Sequence, residues 1–222
     1  DVAVVGAGPA GATAAIYLAR SGVDVLLLDQ AAFPRVKPCG DGLGYYTVDL
    51  LERIGLGAWL RNGKHNPCRR FLLSSPDGSS ALAPLPDDVL DYSYAVPREI
   101  FDMRLLETAI DAGARFLPET RALGLERLGD GYVEVVGQRD GDGVRYVVPL
   151  VIAADGGQAT FTRSLGLTVR PPEWVAVRAY YEGGEGDPRQ CEIHWERSAL
   201  PGYGWLFPGG DGTINVGMGA YT

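Results

Sequence analysis

The opening segment DVAVVGAGPAGATAAIYLARSGVDVLLLD leaves a chain few ways to fold. Val2 to Val5 make an apolar run of strand length, and Gly6-Ala7-Gly8-Pro9-Ala10-Gly11 comes directly after it as G-x-G-x-x-G. An alanine-rich stretch to Arg20 reads as a helix that Ser21-Gly22 stops. Residues 23–28 form a second apolar strand ending in Asp29. Strand, glycine turn, helix, strand and acid stand in the order of a βαβ dinucleotide-binding unit. The three glycines play different roles. Gly6 makes the tight turn, Gly8 lets backbone approach a pyrophosphate, and Gly11 lets helix and strand pack closely. Pro9 and Ala10 open the helix, where unpaired N–H groups and the helix dipole favour negative charge. Asp29 is placed to accept hydrogen bonds from ribose hydroxyls.

The fingerprint by itself does not separate NAD from FAD, but the order of the later elements narrows the choice. A plain dehydrogenase domain continues with alternating helices and parallel strands. This chain instead enters a glycine-rich loop, "PRVKPCGDGLG", and then a helical stretch, "YYTVDLLERIGLGAWL". A hairpin is expected next, with "RRFLLSS" and "SALAPL" around Pro76-Asp77-Gly78. "PREIFDMRLLETAIDAGA" reads as a helix, with Ile100, Met103, Leu105, Leu106 and Ile110 at helical spacing, Pro97 near its start and Gly113 at its end. Short strands punctuated by Gly129-Asp130-Gly131 and Gly141-Asp142-Gly143 read as a meander. "LVIAADG" returns the chain to a strand that ends at Asp155-Gly156, and strand-rich sequence fills the rest.

Composition bounds the partners. The chain has 222 residues and a net charge of −8, which argues against nucleic acid, since that needs a concentrated basic face. Three cysteines, Cys39, Cys68 and Cys191, are odd in number and far apart, so a disulfide framework is not expected and a reducing compartment fits. With only His65 and His194, no zinc pattern forms, and no metal is expected. No apolar run is long enough to span a bilayer. A strand starting at Asp1 and another closing at Thr222 lead to the expectation that the whole protein is longer.

This order resembles the two-domain FAD-dependent oxidoreductases that include aromatic hydroxylases and geranylgeranyl reductases. In that superfamily the Arg of an R-x-x-F-D-x-x-L helix faces the FAD; the matching residues here are Arg98, Phe101, Asp102 and Leu105. The strand-end Asp155 and Gly156 match the D-G next to the flavin's phosphate and ribityl region, though Asp155 also reads as a cap for the next helix. Two further stretches narrow the resemblance to the geranylgeranyl reductase family, in its bacterial form. Lys37-Pro38-Cys39-Gly40-Asp41-Gly42 resembles that family's K-P-C-G-x-G loop. Tyr203, Trp205, Phe207 and Pro208, then a seven-residue spacer and Val216-Gly217-x-Gly219, resemble its second motif. The resemblance implies an FAD cofactor and reduction of C=C bonds in a prenyl chain carried on diphosphate, lipid or quinone. It also implies an electron donor, NAD(P)H or a reduced carrier, and a cytoplasmic setting with peripheral contact at the inner face of the membrane. The fold class expected is α/β: a three-layer Rossmann-like FAD domain over residues 1–66 and 97–168, with a β-rich substrate domain inserted as 67–96 and 169–222. A monooxygenase or halogenase on the same scaffold is the alternative. Halogenases carry Trp-x-Trp-x-Ile-Pro at the second motif, and Tyr203 and Phe207 depart from it.

The residue types suit the implied chemistry. Tyr203, Trp205 and Phe207 alternate along a strand and so share one face. That face is expected either to wall a greasy substrate cavity or to serve as core. Gly40, Gly42 and Gly44 permit close approach of a planar ring, and Lys37 is a candidate to balance a reduced flavin's charge. Cys39 has three readings: a small buried residue, a group that shapes the substrate site beside the flavin, or a proton donor. A thiol with a pKa near ~8.5 is a weak acid for alkene protonation, which favours the shaping role. Cys68 and Cys191 match no motif, and Arg69-Arg70 reads as a solvated hairpin face or, less simply, as a diphosphate contact.

Overall fold

A computed structural model describes residues 1–84, 93–167, 170 and 173–221. The chain begins β1 (Val2–Val5), α1 (Pro9–Arg20), β2 (Val25–Leu28), β3 (Gly42–Leu43), α2 (Tyr45–Arg53) and α3 (Gly57–Asn62). It continues β4 (Asn66–Cys68), β5 (Arg70–Ser74), β6 (Ser80–Pro84), β7 (Ser93–Ala95), α4 (Arg98–Asp111) and β8 (Arg115–Leu117). Then come β9 (Thr120–Arg127), β10 (Val133–Arg139), β11 (Asp142–Val148), β12 (Leu150–Ala153) and α5 (Thr160–Ser164). The described chain closes with β13 (Trp174–Glu182), β14 (Gln190–His194), β15 (Tyr203–Pro208) and β16 (Thr213–Tyr221).

Two compact units result. The first comprises residues 1–36 and 99–172. Its centre is a parallel sheet ordered β12-β1-β2-β8, whose inner strands β1 and β2 are buried along their whole length. Such strands need cover on both faces, which explains their unbroken apolar runs. On one face, Ala3, Val5, Leu26 and Leu28 pack with Ala122, Val135 and Val148 of the β9–β11 meander and with Phe161 of α5. On the other face Val4 meets α1, where a Cβ on Gly11 would lie 3.2 Å from Val4 Cγ1. The buried residues of α4 include Phe101, Asp102, Leu105, Leu106 and Ala109. Ile100 and Ile110, expected on the apolar side, are instead 49% and 44% exposed. The helix carries two overlapping apolar stripes, and Phe101 and Asp102 decide between them by going inward.

The second unit comprises residues 37–98 and 173–222. A six-stranded sheet runs β13-β16-β15-β14-β5-β6, and a small sheet runs β3-β7-β4. The expected hairpin is β5 with β6, in the register Arg70↔Pro84 to Ser74↔Ser80. Its turn is closed by Asp77 Oδ1, which accepts from Ser79 N–H at 2.9 Å. The first boundary of this unit differs from the expectation after residue 66: it falls after Val36, so the glycine loop and α2–α3 group with the β-rich unit. The reason is pairing, since β3 at the end of the loop bonds to β7 through Gly42↔Ala95 and Leu43↔Tyr94. The expected start of the second segment, at Val169, lies outside the described residues.

Candidate functional site

In the first unit the βαβ turn is built as a cradle. Gly6 has φ +103°, and a Cβ there would lie 2.3 Å from Ala154 O. A Cβ on Gly11 would lie 1.8 Å from Gly6 O. Both glycines are therefore required by the protein's own packing. Gly8 differs: among the described residues a Cβ there would meet only Arg35 Nη2, at 3.4 Å. Its face is left for something other than protein. Gly8 caps α1 at the N-terminus with Pro9 in the first turn, so the helix dipole points its positive end at the open side of the turn.

Asp29 is 8% exposed and serves the turn itself. Its Oδ2 accepts from Ala7 N–H at 2.8 Å and its Oδ1 from Ala31 N–H at 2.9 Å. Each carboxylate oxygen keeps a further acceptor site, which is what ribose hydroxyls need. Arg35 escaped the sequence reading, hidden in a loop without periodicity. Its Nη1 lies 3.1 Å from Asp102 Oδ2, and its guanidinium sits 4.8 Å from the centre of the Phe33 ring. Buried Asp102 and Phe33 thus hold a cation beside Gly8. Asp155 follows β12 and caps α5: its Oδ2 accepts from Thr162 N–H at 3.0 Å and its Oδ1 from the Thr162 hydroxyl at 2.6 Å. Burial opposes its charge, but these bonds win and hold the carboxyl below its usual range. Gly156 follows at φ +76°. Arg98 is the first residue of α4 and is half-buried.

In the second unit the two stretches singled out in the sequence pack onto each other. Tyr203, Trp205 and Phe207 share one face of β15. Trp205 is 7% exposed, whereas Tyr203 is 42% exposed. The planar rings against the loop glycines are those of Trp205 and Phe207. A Cβ on Gly40 would lie 3.1 Å from Trp205 Nε1, and one on Gly42 would lie 3.0 Å from Phe207 Cε2. Gly44 has open space around it. The second motif's glycine is explained in the same way. Trp205 pairs with Gly217 across β15 and β16, and a Cβ on Gly217 would lie 2.2 Å from Trp205 Cζ2. Tyr203 contacts Trp195 and Trp205, with ring centroids 6.4 and 6.2 Å away.

Lys37 and Cys39 are half-buried in the loop. Cys68 and Cys191 are buried at 2% and 4% exposure. The hydrogen bond with Cys68, together with burial, pushes the Cys191 thiol up. Arg70 forms an ion pair with Asp187, which gives this half of the Arg69-Arg70 pair a structural use.

A three-layer βαβ unit with an open glycine turn, a helix N-terminus and a flanking arginine defines a dinucleotide-binding protein. A family model described as "FAD binding domain" matches residues 1–180, and the chain belongs to that family. FAD is therefore the group this turn is built for. The chain is 38% identical to a menaquinone reductase of Mycobacterium tuberculosis over 234 residues, covering all of this chain and 55% of the relative. It is 36% identical to a digeranylgeranylglycerophospholipid reductase of Methanopyrus kandleri, covering 99% of this chain and 57% of the relative. The chain thus spans about half the length of the curated relatives it matches. A solved geranylgeranyl bacteriochlorophyll reductase-like protein of Thermoplasma acidophilum superposes with a TM-score of 0.84 at 27% identity, over 100% of this chain and 56% of that one. A myxobacterial FAD-dependent chondrochloren halogenase superposes at 0.85 with 23% identity, over 100% and 52%, and shares the fold.

Proposed function

We propose that the protein this chain belongs to is an FAD-dependent reductase of C=C bonds in the prenyl chain of a quinone or a glycerophospholipid. The observation that carries the reading is the packing of the Lys37–Gly42 loop on Trp205 and Phe207, two separate motifs forming one cluster. The names of the relatives at 36–38% identity support the same substrate class. When bound and reduced, FAD would supply a hydride to one alkene carbon, with a proton delivered to the other. This chain's own residues hold the cofactor and shape the site. Gly8, the N-terminus of α1 and Arg35 take the pyrophosphate. Asp29 fixes the turn and offers acceptors to ribose, while Arg98, Asp155 and Gly156 stand as the further cofactor residues. Trp205 and Phe207 back the loop, and Tyr203 is the aromatic of the trio left open to meet an isoprenoid. Lys37 supplies positive charge, and Cys39 with Gly40 shapes the place where the alkene sits.

A lipid substrate implies peripheral contact with a membrane. No helix among the described residues is long and apolar enough to cross one. The electron donor is a nicotinamide or a reduced protein carrier. The test is anaerobic incubation of the full-length protein with reduced flavin and either menaquinone or a digeranylgeranyl glycerophospholipid. The expected product has gained a pair of hydrogens per reduced bond. A product that carries oxygen or halogen and forms only in air would overturn the reading.

A further inference from the structure

The Cys39 loop is held by a buried polar network centred on a residue that neither motif specifies. Asn215, the last residue of the spacer between the two halves of the second motif, is 2% exposed. Its Nδ2 donates to the Cys39 carbonyl at 2.8 Å and to Asp41 Oδ2 at 2.7 Å. Its Oδ1 accepts from Trp205 Nε1 at 3.0 Å. Both N–H donors and the oxygen of this amide are thus used, and the two donors fasten the loop. Asp41 is also 2% exposed and sits at φ +62°, where few residues other than glycine, asparagine and aspartate are at ease. Its Oδ2 also accepts from the Tyr180 hydroxyl, and its own carbonyl accepts from Val96 N–H at 3.0 Å. Burial, and then the bond to the Asp41 carboxylate, push the Tyr180 pKa up, so its hydroxyl remains a donor at any working pH. Asp41 Oδ1 is buried and has no hydrogen-bond partner among the described residues.

We propose that Asn215, braced by Asp41 and Tyr180, is the positioning residue for the Cys39-Gly40 turn and sets where the thiol and the loop backbone stand during turnover. Van der Waals packing of Gly40 and Gly42 on flat rings lets the loop slide. Directional bonds to a carbonyl and a carboxylate do not, because a hydrogen bond weakens steeply as its angle departs from linear. Asn215 converts a loosely packed loop into one with a single register. Its amide alone can do this, since the position needs a donor toward two oxygens and an acceptor toward the indole at once. Aspartate would lack the donors, and leucine would lack everything. The role of Asp41 is to hold the loop through its Oδ2. In an asparagine at 41, the amide oxygen takes both bonds now made to Oδ2, and its NH2 group occupies the place of the unpartnered Oδ1.

The kinetic half of the proposal rests on the prenyl-reductase reading, and the thiol half does not. The experiment uses the full-length holoprotein. Iodoacetamide labelling of Cys39 is followed by peptide mass spectrometry, and buried Cys68 and Cys191 serve as slow internal references. Steady-state reduction of a prenyl substrate is measured beside it. Asn215→Ala is expected to keep its FAD, to label at Cys39 about tenfold faster, and to lose about 100-fold in kcat with KM within about threefold, the scale of a misplaced reacting group. Asp41→Asn is expected to be milder, costing under about tenfold. Tyr180→Phe, which removes one hydroxyl, is expected to raise the labelling rate a few-fold and stands in if Asn215→Ala does not fold. Unchanged Cys39 labelling in Asn215→Ala and Tyr180→Phe would overturn the proposal. So would Asp41→Asn falling as far as Asn215→Ala, which would make the carboxylate itself the active group. If the wild type reduces no prenyl substrate but Asn215→Ala still exposes Cys39, the positioning network stands and the substrate reading fails.

Discussion

Three glycines in one turn carry two kinds of constraint. Gly6 and Gly11 are demanded by backbone carbonyls at 2.3 and 1.8 Å from where a Cβ would stand, so any side chain there breaks the unit. Among the described residues Gly8 faces only the end of Arg35, a flexible side chain, at 3.4 Å. The expectation is a clean separation between folding and binding. Gly8→Val in the full-length protein should fold and lose its FAD, measured as flavin absorbance per protein after gel filtration. Gly11→Val should not yield folded protein. A Gly8→Val protein that stays fully yellow would sink the assignment of the turn. The G-x-G-x-x-G pattern made this site legible in the sequence. Arg35 was not legible, because its position beside Gly8 depends on Asp102, 67 residues further along the chain, and on the ring of Phe33.

The informative element is the pair of strands β15 and β16. Alternation along β15 correctly put Tyr203, Trp205 and Phe207 on one face, but alternation says nothing of what lies over that face. Trp205 lies across Gly217, and its Nε1 donates to Asn215, one turn of the alternation away on the same side of β16. The V-G-x-G pattern is therefore, at Gly217, the seat of an indole. A methyl group added there would stand 2.2 Å from Trp205 Cζ2 and 2.6 Å from the Val177 carbonyl. Gly217→Ala should force the indole out, at about 1–3 kcal/mol for overpacking. The checks are a lower urea midpoint and a red-shifted tryptophan emission. Wild-type stability with an unshifted spectrum would show that the strand yields without cost. In α4 the helix itself was legible while its buried face was not, since Ile100 and Phe101 compete for the interior and spacing does not rank them.

At the scale of the whole chain, both units depend on carboxylates and a histidine whose charge states respond to acid in the same direction. In the first unit Asp155 is held low by Thr162 against the effect of burial. In the second, Asp211 is held low by the Thr213 hydroxyl, and exposed Asp77 by Ser79. Burial lowers the His65 pKa below its usual 6.5, and its ring packs on Trp59 with centroids 4.6 Å apart. A histidine lowered in this way adds stability above its unfolded pKa and loses it as pH falls through the folded value. The carboxylates do the same from near pH 4 downward. The thermal midpoint should therefore hold steady near neutrality and decline in two stages on acidification. His65→Gln should remove the first stage, and Asp155→Asn should lower the neutral plateau by about 2 °C, a fraction of a kcal/mol to about 1 kcal/mol, and flatten the second. Scanning calorimetry from pH 8 to pH 3 checks this, and a midpoint that rises between pH 7 and pH 5 would contradict it.

The βαβ unit, the meander and the hairpin were determined by the sequence alone, because each is built from neighbours within a few tens of residues. Apolar period, turn glycines and capping residues act over that range and leave their marks in order along the chain. The affiliation of the Cys39 loop was decided only by tertiary structure. Its carboxylate at Asp41 meets an amide at Asn215, 174 residues away, and β3 pairs with β7 half a hundred residues downstream. No local pattern records such a contact, since an asparagine in a polar spacer looks the same whether it faces water or holds a loop. The same holds for Trp205, whose aromatic ring suits a greasy cavity and a packed core equally well until Gly40 and Gly217 close on it from two sides.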